Sequence, residues 1–287
     1  MSRIFNIGGG RRKKAVIITI LFILLSTQVS IYSQTMGIPE EGKKDKGLKL
    51  RFLDDWVAEE MRIWASPFKI DKRSLIFLGG LALTTAYLIN RDKVYHNDVQ
   101  HFTLSNQWIK QSSPVITQFG STPANLAIIG SFYLGGTLLK DERARETAQL
   151  SLKSLMHALV VSQVLKGIFQ RQRPYVENGV DGWFTHGKGT DYRSFPSGHT
   201  TTAWSVATVI AGMYEDKPAV PVICYSLATL VGLSRLSENK HWASDVLVGA
   251  ALGYAIGRFV LKKYNNRFNI SPMFSGNKAG ININYSF

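Results

Sequence analysis

Between residues 74 and 263 the chain offers one apolar helical stretch after another and almost no β-strand pattern, so its core is confined to a helical bundle. Six helices are predicted: Ser74–Asn90, Pro123–Lys140, Thr147–Gln170, Gly198–Tyr214, Pro218–Leu236 and Ala243–Lys262. Pro123 and Pro218 suit first-turn positions, where a missing amide hydrogen costs nothing. Pro174 would close the third helix, and Lys262-Lys263 complement the dipole of the last. The expected fold class is all-α, a six-helix bundle over 74–263. The tail, 264–287, alternates Ile281, Ile283, Tyr285 and Phe287 and is expected to form a β-hairpin, with Arg267–Phe274 as the other strand.

The apolar stretches run about 16 or 17 residues, the short edge of a membrane span. Lys153 and His157 sit near the middle of the third helix, where lipid exposure would be costly. Ahead of the bundle, Arg11-Arg12-Lys13-Lys14, the apolar run Ala15–Leu25 and the small residue Ser33 have the layout of an export signal cleaved after Ser33. The same pattern also suits an uncleaved anchor, so 1–33 is signal or anchor. Residues 34–73 read as a polar linker followed by a short amphipathic helix around Phe52, Trp56 and Met61. If the N-terminal segment is exported and all six helices span, the loop between the third and fourth helices returns to the cytoplasm. A bundle attached peripherally to the envelope, or soluble in the periplasm, avoids that conflict.

The formal charge is +14; residues 1–33 hold five positive charges and no acid, so +9 remains without them. That balance favours anionic partners, phosphates or acidic lipid surfaces. No nucleic-acid-binding motif accompanies it. The single cysteine, Cys224, lies in an apolar run; it permits no internal disulfide and no cysteine metal cage.

Three polar clusters interrupt the bundle. Lys166 and Arg173, before Pro174, are seven apart and so are expected on one helical face, with Arg171 pointing elsewhere. In Pro196-Ser197-Gly198-His199, Ser197 stands at a helix N-cap, and the first-turn amides after it suit a phosphate. In Ser234-Arg235 and His241–Asp245, the last two are four apart at a helix start. A carboxylate there would fix the imidazole tautomer and leave the other nitrogen to attack. Each cluster alone has an ordinary reading: dipole-complementing cations, a capped helix, a helix-stabilising His–Asp pair. Together they supply cations for phosphate oxygens, a nucleophile and a general acid, which is phosphoryl transfer without metal or cofactor.

The pattern Lys-x6-Arg-Pro, Pro-Ser-Gly-His and Ser-Arg-x5-His-x3-Asp over 166–245 resembles the type 2 phosphatidic acid phosphatase superfamily. That group also contains bacterial nonspecific acid phosphatases and vanadium haloperoxidases. The resemblance implies that His241 is the nucleophile, forming a phosphohistidine, with Asp245 as its orienting partner. It makes His199 the general acid for the leaving group, with Lys166, Arg173, Ser197, Gly198 and Arg235 holding the phosphate. The implied substrate is a phosphorylated lipid: phosphatidic acid, phosphatidylglycerol phosphate, undecaprenyl diphosphate or a lipid A phosphate. A small phosphate ester in the periplasm is the alternative, and haloperoxidase or non-enzymatic roles rank below. The expected location is the envelope membrane, the site facing the periplasm. The loop Tyr175–Ser194, with Trp183, Phe184, His186 and Tyr192, is expected as a mobile rim over the pocket. His96, His101 and His157 are assigned to structure.

Overall fold

A computed structural model describes residues 72–176, 182–185, 187, 189–265, 268–275 and 278–285. The export segment, the linker, the amphipathic helix and His186 lie outside the described residues. The chain divides into two compact units, Met1–Ala86 and Tyr87–Phe287, and every residue of the three clusters belongs to the second.

Among the described residues seven α-helices form, one more than the six predicted. Helix α1 is Lys72–Ser105, α2 Gln107–Gln118, α3 Thr122–Leu138 and α4 Glu142–Phe169. Helix α5 is Gly198–Met213, α6 Ala219–Ser237 and α7 Ala243–Asn265. The expected end of the first helix at Asn90 is wrong by 15 residues, because the apolar pattern fades there but no glycine or proline follows before Pro114. Extended Asn106 separates α1 from α2. Helix α2 escaped the sequence reading because it is polar and contains Pro114.

The other ends follow local chemistry. Ser121 and Asp141 cap α3 and α4, accepting from the amides of Ala124 and Ala144. Helix α4 stops at Phe169, where Gln170 turns left-handed with φ 40°. After α7 the chain forms β1 (Phe268–Ser275) and β2 (Lys278–Tyr285), antiparallel with Phe268 opposite Tyr285 and Ser275 opposite Lys278.

Helix α5 is the hub, packing on α4, α6 and α7. Its partner face on α7 is a glycine stripe, Gly249, Gly253 and Gly257. A Cβ at Gly253 would stand 2.4 Å from the Thr201 carbonyl oxygen and 2.7 Å from Trp204 Cβ. Removing side chains lets two backbones meet where no large residue would fit.

Helices α4, α6 and α7 (to Lys262) are long and apolar enough to cross a membrane. Of the two residues expected to be costly there, Lys153 stays half-buried, but His157 does not weigh against this. Ser151, Ser154, His157 and Ser162 are buried inside the bundle, while Leu152 and Val164 face outward. The lipid cost foreseen for His157 is thereby avoided. Elsewhere on the bundle Leu134, Leu138, Leu139, Val222 and Ile223 are each more than half exposed. The ends that carry Lys166, Ser197, Arg235 and Asp245 are the C-terminus of α4, the N-terminus of α5, the C-terminus of α6 and the N-terminus of α7.

Candidate active site

His241 precedes α7 and Asp245 lies in its first turn, so the two do not share a helical face as expected. The turn itself joins them. The Trp242 amide donates to Asp245 Oδ2 at 2.9 Å, which folds the carboxylate back toward residue 241. His241 Nδ1 lies 3.4 Å from the same oxygen. Ser194 also donates to Oδ2, at 2.5 Å, and its Oγ is 3.4 Å from His241 Nδ1. Nδ1 is thus committed to the acid, and Nε2 is the nitrogen left for chemistry. Burial pushes the His241 imidazole well below its ordinary pKa; the Asp245 bond opposes this, and Lys166 and Arg173 add to the depression. The ring is therefore neutral near pH 7, the form that can attack.

Ser197 occupies the N-cap of α5, as expected, but makes no side-chain cap. Its hydroxyl instead accepts from Thr200 Oγ1 at 2.8 Å, so no cap from Ser197 competes with an anion for the first-turn amides. The Ser197 amide donates to the Asp245 carbonyl at 3.0 Å, tying the start of α5 to the start of α7. A Cβ on Gly198 would come 3.5 Å from Lys166 Cε, so α4 and α5 meet at the cradle. Gly120 backs His199: a Cβ there would lie 2.9 Å from His199 Cβ. His199 lies outside the three candidate spans. Burial, then Arg235, Lys166 and Arg173, push its imidazole down to about 4. Lys166 and Arg173 therefore act on both imidazoles, and the two histidines share one cationic field.

Lys166 is buried and donates to the carbonyls of Arg193 and Ser194 at 2.7 and 3.4 Å. Arg173 is not on its helix. Because α4 ends at Phe169, the seven-residue spacing places nothing; the chain beyond Gln170 brings Arg173 back, with Nε donating to the Thr190 carbonyl at 3.0 Å. Arg235 is held by Thr117 Oγ1 of α2 and by Glu238, each 2.6 Å from its NH1. Its Nε is buried with no partner among the described residues, the arrangement expected of a donor awaiting a phosphate oxygen.

Arg171 does point away from the phosphate cradle, but into the floor of the site. It is fully buried, donates to Asp245 Oδ1 at 2.6 Å and to Asp92 Oδ2 at 2.7 Å, and contacts Ser244 Oγ at 2.6 Å. Trp183 covers its guanidinium at 4.4 Å and Trp242 at 5.3 Å. Trp183 also packs edge-on against Phe169 and tilted against Phe195. The described part of the loop is accordingly anchored: Phe184 N bonds the Phe169 carbonyl and Thr185 Oγ1 the Gln170 carbonyl. A cleft of about 270 Å³ opens on Lys166, Gln170, Thr190 and Tyr192, and neither imidazole lines it. Among the described residues no three His, Cys, Asp or Glu side chains gather as metal ligands. His157 is buried within α4, and His96 packs edge-on against Trp242. Ser194, Thr117, Arg171 and Asp92 are the members of this site that the sequence did not signal.

The structure thus sets a buried acid–imidazole pair, a second imidazole at a helix N-terminus and three cations around one site. Residues 150–269 match the PAP2 superfamily. It is 47% identical over 70 residues to a lipid A 1-phosphatase of Porphyromonas gingivalis. That stretch is 24% of this chain and only 16% of the relative's length. It is 24% identical over 180 residues to a lipid A 4'-phosphatase of Helicobacter pylori, covering 62% of this chain and 86% of that one. The crystal structure of a transmembrane PAP2-type phosphatidylglycerolphosphate phosphatase from Bacillus subtilis superposes with a TM-score of 0.51. It covers 65% of this chain and 95% of its own at 22% identity, a likeness of fold.

Proposed function

We propose that this protein is a lipid phosphate phosphatase that works through a phosphohistidine at His241. The observation that carries the reading is the neutral His241 ring, tied at Nδ1 to Asp245 and set in the same cationic field as His199. Lys166, Arg173, Arg235 and the amides at Gly198 hold the phosphate oxygens and draw off charge as the bond to the leaving oxygen breaks. Nε2 of His241 attacks phosphorus, and His199 gives its proton to the departing oxygen. Water, losing its proton to His199, then displaces phosphate from His241. No metal or cofactor takes part.

A lipid substrate is favoured over a soluble ester by the exposed apolar side chains of α3 and α6 and by the three helices able to span. The relatives' names point toward lipid A among lipid phosphates. We place the site on the outer, periplasmic side of an envelope membrane as part of the same proposal, supported by the export-signal layout of residues 1–33.

Phosphate release by the full chain in detergent micelles, measured on phosphatidic acid, phosphatidylglycerol phosphate, undecaprenyl diphosphate, lipid A and p-nitrophenyl phosphate, tests this. Lipid esters should be preferred and His241→Ala should release nothing while keeping its helical circular dichroism. Substantial residual release would put the nucleophile elsewhere; preference for p-nitrophenyl phosphate would favour a soluble acid phosphatase.

A further inference from the structure

Asp92, on α1, reaches the floor of the site across a long stretch of chain. Its Oδ1 accepts from the Ser244 amide at 3.0 Å, and Oδ2 accepts from Arg171 at 2.7 Å and from the Ser244 hydroxyl. Every one of these neighbours is a donor, the bonding pattern of a carboxylate rather than a carboxylic acid. The Asp92 pKa is raised, chiefly by burial and also by the neighbouring Asp245 charge, with Arg171 and Ser244 opposing the rise. Asp245 is surrounded in the same way, by Arg171 on Oδ1 and by Ser194, the Trp242 amide and His241 on Oδ2. Asp92, Arg171, Ser244 and Asp245 are all essentially without solvent contact.

Two carboxylates therefore share one guanidinium in a region where charges are weakly screened. In the free enzyme His241 is neutral, and the group carries an excess of one negative charge. Phosphoryl transfer removes the excess. When the Nε2–P bond forms and the P–O bond to the leaving group breaks, the leaving oxygen takes the His199 proton. Nδ1 keeps its hydrogen, so the ring becomes cationic. When water attacks phosphorus the N–P pair returns to Nε2, and the ring is neutral again. The second carboxylate matches the positive charge that the ring holds only between these two steps.

On the phosphohistidine reading above, we infer that Asp92 is a positioning residue for the phosphoryl-transfer step. Through Ser244 and Arg171 it fixes the Asp245 carboxylate beside His241 and supplies the negative charge that the phosphorylated ring requires. A role confined to capping α7 would lower the melting temperature and leave turnover per folded molecule unchanged.

The test is kinetics of the full chain in detergent micelles on dioctanoyl phosphatidic acid, with Asp92→Asn, Ser244→Ala and His241→Ala. Asp92→Asn should lower kcat roughly 10- to 100-fold, the size of loss seen when the partner that orients a metal-ligating side chain is removed. KM and the inhibition constant of vanadate should stay within about twofold, because ground-state phosphate binding does not use the residue. Rapid-quench trapping should show slower phosphohistidine formation by the same factor. A kcat within about twofold of the parent, or a loss that falls on KM alone, overturns the inference. If Asp92→Asn does not fold, Ser244→Ala decides. It keeps both charges but removes the hydroxyl between them; a several-fold drop in kcat at unchanged KM supports the assignment, and full kcat refutes it. Release that survives in His241→Ala would instead remove the phosphohistidine reading, and this assignment with it.

Discussion

The depressed His199 poses a quantitative problem with a measurable answer. A general acid must hold a proton, yet this imidazole sits at about 4 in the empty site, under the combined push of burial, Arg235, Lys166 and Arg173. To be half-protonated near pH 7 in the complex it must rise by about three units, or about 4 kcal/mol. A single negative charge about 4 Å away at an effective dielectric near 20 supplies about 4 kcal/mol. A bound phosphate dianion is therefore enough to recharge the acid, and the substrate switches on its own catalyst. Because the complex has the higher pKa, binding takes up a proton between the two values, and anion affinity rises as pH falls through the bound pKa. Sulfate is the suitable probe, since it stays a dianion throughout. Its competitive inhibition constant should tighten by up to about tenfold per pH unit between about 7 and 4, then level off. His199→Gln should abolish that slope. A sulfate constant flat with pH, or a slope that persists in His199→Gln, would refute the reasoning.

Two further outcomes follow from packing. Gly253→Ala puts a methyl against the Thr201 carbonyl and the Trp204 Cβ, neither of which can swing aside, and should destabilise the bundle by about 1–3 kcal/mol, read as a lower melting temperature in micelles. Thr117→Val removes the hydroxyl that holds Arg235 NH1; losing a buried bond to a charged group is worth about 1.5–3 kcal/mol, and KM for phosphatidic acid should rise at least several-fold with kcat less affected.

The parts of the site that could be read from sequence are those whose chemistry is written in adjacent residues. Ser197, Gly198 and His199 follow one another, and His241 and Asp245 are separated by a single turn. Their positions at helix starts survive in the structure even where the assumed helical geometry does not. Arg173 reached the site for another reason than the one expected: the left-handed Gln170 ends α4 early, and the returning chain, not helical spacing, brings the guanidinium in. Asp92 left no local trace. It meets Arg171 across 79 residues and Ser244 across 152, and an aspartate between Arg91 and Lys93 reads as solvated surface. Thr117 was hidden similarly, inside a polar helix that contains Pro114. Helical content was plain because hydrophobic periodicity is a local signal; the tertiary partners of a buried charge are not.

The sealed floor has a further consequence. Asp92, Arg171 and Asp245 are closed off from solvent, and only Asp245 touches a reacting group, at His241 Nδ1. Selection can therefore remodel the mouth for a new headgroup or acyl tail without disturbing the base of the reaction. A sealed base beneath a separate entrance leaves the choice of headgroup to the entrance alone.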